Sequence, residues 1–323
     1  MKFDNAYCLS LDEKLSIYDV RDLNFDETQA FDSEQEHFLC PDDACRAALG
    51  PDSRLGTYNA KNVRFKKTPH FKDRPSTRHL PECRYFSAEK AAAAPDGSDG
   101  REDNFPSELL LTRRTYQRAP AVAVGAAPAP QLGGPVLAKA VSAPTAARRP
   151  AASPAPLNRT TIFAHPVECF VSNYADKERL KSHPLKIADQ ALNYWSFFKK
   201  IEYCQDKPGL IYWGKVKAIK SYKTSFSIQF ANPLWLDKKR YPVNVYLSKS
   251  LIENYRQRRV FLEEIEHAMD QTEDLYCFFY GVTPQRKEVP GKTDPQRTFS
   301  VFSAQIENLD HFILRTAPGL TPS

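Results

Sequence analysis

The sequence predicts an α+β protein with two folded regions and a linker between them. Three observations lead there. Hydrophobic residues make up 41% and aromatics 12% of the 323 residues, enough for real cores. Ten of the 25 prolines fall in one central stretch, 87–158. The last third alternates apolar and polar residues in short runs, the pattern of half-buried strands.

A chain of this length accommodates two modest domains, at roughly 100–200 residues each. Composition divides it into residues 1–86, 87–158 and 159–323. The first stretch mixes cysteines, histidines and turn residues. The second turns rich in Ala and Pro, and 119–156 is nearly all Ala, Pro, Val, Gly and Arg. So few large side chains cannot offset ordering entropy, which predicts a disordered linker. Inside it, 105–116 (FPSELLLTRRTY) stands out. It either docks as a short helix or strand, or is a sticky piece of the linker.

In the third region, Leu185, Ala188, Leu192, Trp195 and Phe198 recur at helical spacing, so 180–204 reads as an amphipathic helix. Residues 210–230 read as two antiparallel strands around a turn at 221–225, and 241–247 as a third. A helix follows, with Ser250 and Glu253 as its capping box and Leu251, Tyr255, Leu262, Ile265 and Met269 as its buried stripe. Residues 275–282 form a fourth strand and 284–296 a polar loop. Strands at 299–306 and 312–314 complete the sheet. Five antiparallel strands with a helix between the third and fourth resemble the OB-fold, a small Greek-key barrel.

The N-terminus, MKFDNAYCLS, lacks the apolar core of a secretory signal. No apolar run approaches the ~18–20 residues that span a bilayer. The expectation is a cytoplasmic protein that does not enter a membrane. Its seven cysteines then read as thiols or metal ligands rather than disulfides.

Four of those positions carry a pattern. Cys40 and Cys45 are separated by four residues, and His79 and Cys83 by three. Each pair can reach one ion from a tight turn. Thiolate and imidazole donors in that number suit tetrahedral zinc. Four protein ligands leave no open position, so the zinc would be structural. Spacing favours Cys40, Cys45, His79 and Cys83, with His70 as the rival for the fourth place.

The same region resembles the N-terminal module of competence CoiA-like proteins. The likeness rests on Ala6–Leu11 (AYCLSL), Leu15–Val20 (LSIYDV), Phe38-Leu-Cys-Pro41 and Pro69-His-Phe71. It covers the first 85 or so residues and implies a cysteine knuckle joined to a Pro-His-Phe-Ala-His element. This chain has a wider knuckle, and Asp73 stands where the second histidine would be. The resemblance favours His70 as the fourth ligand, where spacing favours His79. It also implies an association with mobile-DNA, competence or phage-defence processes. The family's nuclease signature has no counterpart after residue 159.

Net charge is +6, which permits an acidic partner without demanding one. Residues 209–236 contain no acid. Lys215, Lys217, Lys220 and Lys223 interleave there with Trp213 and Tyr222, and Tyr246 follows on the third strand. On an OB-like face these residues would bind single-stranded nucleic acid, DNA for preference, through phosphates and stacked bases. The N-terminal module would meet a protein partner or add a second nucleic-acid contact. The alternative is a protein–protein adaptor whose lysines only solubilise it.

Arg256, Arg258 and Arg259, followed by Glu263, Glu264 and Glu266, read as a solvated helix face. Cys169, Cys204 and Cys277 read as core thiols. With no phosphate loop, no nucleophile elbow and only isolated histidines beyond residue 86, the chain reads as a non-enzyme.

Overall fold

A computed structural model describes residues 2–62, 69–83, 85–86, 105–113, 115–116, 118, 159–207, 209–270, 273–290, 296 and 298–316. Most of the expected disordered linker, including 119–158, lies outside the described residues.

The N-terminal region is a six-stranded sheet of short antiparallel strands. Their order is Lys2–Phe3, His70–Asp73, Arg54–Tyr58, Phe38–Leu39, Asn5–Cys8 and Glu13–Ser16. Ala6, Leu15, Ile17, Val20, Leu55 and Phe71 are buried beneath it. Ser16 starts the Ile17–Phe25 helix with a capping box: its hydroxyl accepts from Asp19 N, and the Asp19 carboxylate accepts from Ser16 N.

The 105–116 segment docks as a strand. Glu108–Leu109 pairs in parallel with Arg159–Thr160 and with Pro184–Ile187. Buried Tyr194 donates its hydroxyl to Pro106 O at 2.7 Å, fixing the segment's entry.

Residues 180–204 do not form the expected helix. Lys177–Ser182 is helical, then Pro184–Ile187 and Gln190–Asn193 form a hairpin, and Tyr194–Phe197 makes one helical turn. Pro184 has no backbone N–H to continue a helix and disfavours helical backbone at His183. Ala188 sits at φ 51°, a turn conformation. Leu185 and Ile187 are therefore buried by strand alternation, while Leu192, a member of the expected helical stripe, is 42% exposed.

The C-terminal sheet has eight strands, not five. Its order is Gln285–Pro290, Thr298–Gln305, Val243–Leu247, Ser225–Phe230, Ile211–Tyr222, Leu275–Phe279 and Phe312–Thr316, with Phe198–Lys200 also pairing Ile211–Tyr222. The expected polar loop contains the Gln285–Pro290 strand. Val243–Leu247 and Thr298–Gln305 run parallel. The edge strands do not pair with each other among the described residues, so the sheet is not a closed OB-like barrel. The long Ile211–Tyr222 strand explains this. Residues 212–215 pair with Leu275–Phe279, and residues 216–222 pair with Ser225–Phe230. One strand serves two sheet halves instead of closing a ring. Gly214 stands at the changeover, where a Cβ would lie 2.8 Å from Ile201 and 2.9 Å from Phe230.

The expected 250–269 helix is two helices, Lys249–Glu253 and Arg258–Asp270. Its cap is Ser248, whose hydroxyl accepts from Leu251 N, and not Ser250.

Arg256 does not belong to a solvated face. It joins the two folded regions. Its Nη2 lies 2.5 Å from Asp22 Oδ1 and 2.9 Å from Asp310 Oδ1. Arg113, from the docked segment, reaches Asp22 at 2.9 Å and Asp26 at 2.5 Å. Beside this network is a cavity of about 220 Å³ lined by Arg21, Phe25, Phe163, Phe261 and Glu264 among others.

Burial pushes the Glu264 carboxyl up to about 7, with Arg21 opposing and Glu263 adding to the rise. An unfolded glutamate titrates near 4.5. Folding therefore takes up a proton between those values, and stability falls as pH rises from about 4.5 to about 7. Glu264→Gln should leave the urea midpoint unchanged near pH 4. Near pH 8 it should raise stability by roughly 3 kcal/mol, at about 1.4 kcal/mol per pKa unit. Equal midpoints at pH 8 would refute this account.

Candidate functional site

The metal-donor cluster is assembled by two connections of the N-terminal sheet. Cys40 follows the Phe38–Leu39 strand directly, and its N–H bonds to Ser53 O at 3.0 Å. Asp42 caps the short Asp43–Leu49 helix by accepting from Cys45 N at 2.9 Å, which turns Cys45 back toward Cys40. Arg46 donates to Cys40 O at 3.2 Å and closes the knuckle. The second connection leaves the His70–Asp73 strand and returns through 77–83. It is held by Arg78 N to Asp52 O at 2.8 Å and Cys83 N to Leu80 O at 3.0 Å.

These loops bring Cys40, Cys45, His79 and Cys83 together, with all donor atoms within 4.8 Å of one another. Cys40 Sγ lies 3.6 Å from Cys83 Sγ. His79 Nδ1 lies 3.7 Å from both Cys45 Sγ and Cys83 Sγ. In a tetrahedral site with Zn–S near 2.3 Å and Zn–N near 2.1 Å, two sulfurs sit about 3.8 Å apart and a sulfur–nitrogen pair about 3.6 Å apart. The donor spacing is compatible with zinc. Burial pushes the Cys40 and Cys83 thiols up; Cys83 and Cys45 add to the rise at Cys40, and at Cys83 Cys45 adds to it while Cys40 opposes it. A divalent cation at the centre is the ordinary way to hold such crowded sulfurs as thiolates.

The fourth member of the donor cluster is His79 rather than His70. His70 is buried on the His70–Asp73 strand with its ring 4.8 Å from Tyr58, and it is not a member of the donor cluster. Sequence reasoning missed Asp73. Its Oδ1 lies 3.0 Å from His79 Nε2. A carboxylate there accepts the Nε2 proton and leaves Nδ1 to face the sulfurs, the usual outer partner of a ligating imidazole. The signal available was position: Asp73 ends the His70–Asp73 strand, six residues before His79.

The expected nucleic-acid residues are not all brought to one surface. Trp213 is only 3% exposed, packed between Phe278, Phe170 and Tyr174. It cannot stack on a base. The expectation assumed an exposed outer face, but on this half of the strand Phe170 of the Ala164–Ser172 helix and the following Tyr174 pack on that face. Lys215 is engaged by Asp274 at 2.6 Å.

Beyond residue 216 the arrangement differs. The register passes from Val216 opposite Phe230 to Ala218 opposite Gln229, so Lys217 is the extra residue of a β-bulge, and it is exposed. The bulge shifts the alternation and puts Ala218 on the outer side. One row of that side runs Lys220, Ser227, Tyr246, Gln305 across four strands. The next runs Ala218, Gln229, Asn244, Ser303 and Gln285. Tyr222, 57% exposed, and Lys223, at φ 62°, occupy the hairpin tip.

Among the described residues no helix is long and apolar enough to cross a membrane. Neither a protein-family model nor a curated protein matches the chain.

Proposed function

We propose that this protein binds single-stranded nucleic acid, DNA for preference, on the outer side of its C-terminal sheet, and that zinc is the ion held by Cys40, Cys45, His79 and Cys83. One observation carries the first part. Lys217, Lys220, Tyr222, Lys223 and Tyr246 gather on one side and one end of the sheet, beside two rows whose other members are amides, hydroxyls and alanine. Lysines contact phosphates without reading sequence, and tyrosines stack on any unpaired base. Trp213 and Lys215 have no part in this reading. The zinc reading is supported by a Cys3His donor set with no open position, which suits a structural ion. The likeness to CoiA-like proteins supports a setting in mobile-DNA, competence or phage-defence processes. The N-terminal module is then free to hold a protein partner.

The test is fluorescence anisotropy with a labelled oligothymidylate at several salt concentrations. Affinity should fall steeply with salt. In a Lys217→Ala, Lys220→Ala, Lys223→Ala variant the slope of log K against log salt should shrink by about 2, at about 0.7 per phosphate contact on a single strand. An oligonucleotide that fails to bind the unaltered protein at low salt would sink this reading and leave the adaptor alternative.

A further inference from the structure

A second surface, outside those rows, has the same chemistry in more concentrated form. Leu234–Leu236 and Lys239–Tyr241 pair as a hairpin, with Trp235 opposite Arg240 and Leu234 opposite Tyr241. Its two turn residues, Asp237 and Lys238, stand at φ 49° and 62°. Two successive left-handed residues make a type I′ turn, whose twist suits a tight hairpin. Leu234 is buried, and the Tyr241 ring lies 5.4 Å from Phe302, so the hairpin is rooted in the C-terminal core. Beyond the root, Trp235 is 48% exposed, and Lys238, Lys239 and Arg240 are exposed as well. The Arg240 guanidinium lies over the indole, 4.3 Å from its centroid. At the root the Arg286 guanidinium lies 5.6 Å from the Tyr241 ring.

We infer that this hairpin is a second single-strand contact, in which Trp235 stacks on a base while Arg240, Lys238 and Lys239 hold the flanking phosphates. The inference rests on the sheet-face reading above and extends the same strand to the other end of the sheet. The chain has three tryptophans. Trp213 is buried, and Trp195 is half-buried, packed on Tyr174 and covered by Lys177. Of the three, Trp235 alone is exposed. Arg240 covers one face of its indole, and with that contact in place Trp235 is still 48% exposed, surface that a base can use. A guanidinium stacked in this way keeps its N–H edges for a phosphate.

An anionic membrane would also attract lysines and an indole. The hairpin does not suit one, because Trp235 and Leu236 are consecutive in a strand and point to opposite sides of the ribbon. There is no single apolar face to insert. The hairpin joins the sheet where Phe230 and Val243 lie, and the Tyr222–Lys223 tip lies at the far end of the Ser225–Phe230 strand. Six residues of strand separate the two, roughly 20 Å at about 3.3 Å per residue. One strand of modest length lying along the sheet reaches both.

The experiment titrates the full-length protein with an oligothymidylate of about twenty nucleotides, following tryptophan emission and anisotropy together. Binding should quench the emission. Trp235→Ala should remove most of the quench and weaken binding on the order of tenfold, with an unchanged far-ultraviolet circular dichroism spectrum. The triple lysine variant should bind more weakly yet keep the quench at saturation. If the oligonucleotide binds with unaltered emission and Trp235→Ala binds as tightly as the unaltered protein, the hairpin is not a contact and the sheet-face reading stands alone. If no oligonucleotide binds at low salt, both readings fall together. If phosphatidylserine vesicles quench the emission and oligonucleotides do not, the hairpin belongs to a membrane contact and the inference is overturned.

Discussion

Replacing Cys45 by Ser should release the metal and unfold the region that the cluster ties together. The N-terminal sheet is made of strands of two to five residues. Such strands bury little on their own. The loops carrying Cys40, Cys45, His79 and Cys83 converge on one buried point, with Leu49, Leu80 and Tyr85 packed against the sulfurs. A structural zinc ion contributes about 10–16 kcal/mol of apparent binding free energy in small folded units, and that energy is folding energy. Zinc per chain, measured by elemental analysis after gel filtration, should fall from near one to near zero in Cys45→Ser. His79→Ala should follow it, and His70→Ala should keep its zinc. Asp73→Ala should retain zinc with an affinity lowered about 10- to 100-fold, visible as faster capture by a chromogenic chelator. A Cys45→Ser protein that still carries one zinc would refute the assignment.

Arg256→Ala is the second substitution with a large expected effect. Arg256 sits in a charged seam between the N-terminal helix and the C-terminal region, its side chain 16% exposed. Burial disfavours its charge, but Asp22 and Asp310 more than offset this, so its pKa is raised. The neighbouring residues are tied as well. Gln257 donates to Asp22 O and Oδ1, Arg259 N donates to Glu27 Oε1, and Glu27 N donates to Arg256 O. Removing the guanidinium leaves Asp22 and fully buried Asp26 with Arg113 as their remaining arginine, and leaves Asp310 without its bridge. Breaking one partner of such a buried network costs about 3–5 kcal/mol. Urea denaturation should show the loss as a lower midpoint. Adding Asp22→Asn should recover part of it, because the stranded charge goes with it. A midpoint unchanged by Arg256→Ala would mean that the two regions do not depend on this seam.

Much of this was written locally in the chain. The α+β class, the positions of the strands at 211–230, 243–247 and 275–279, and three of the four metal donors follow from short-range patterns. Alternation, turn residues and cysteine spacing act over a few positions, where one chain segment decides its own geometry. The helix expected over 180–204 failed at the one position where a local rule, the missing N–H of Pro184, outweighed apolar spacing. What tertiary structure alone decided is the identity of neighbours. His79 and His70 are both plausible ligands by spacing or likeness, and only the return of the 77–83 loop beside the knuckle chooses between them and gives Asp73 its place against His79. Trp213 and Tyr222 read alike as aromatics in a basic strand. Phe170 of the Ala164–Ser172 helix and Tyr174 bury the first, and the second is left at an open tip. Arg256 reads as surface charge until the Ile17–Phe25 helix, 231 residues or more away in sequence, delivers Asp22 to it. Burial is a property of what packs on a residue, and a linear pattern carries no record of partners that distant.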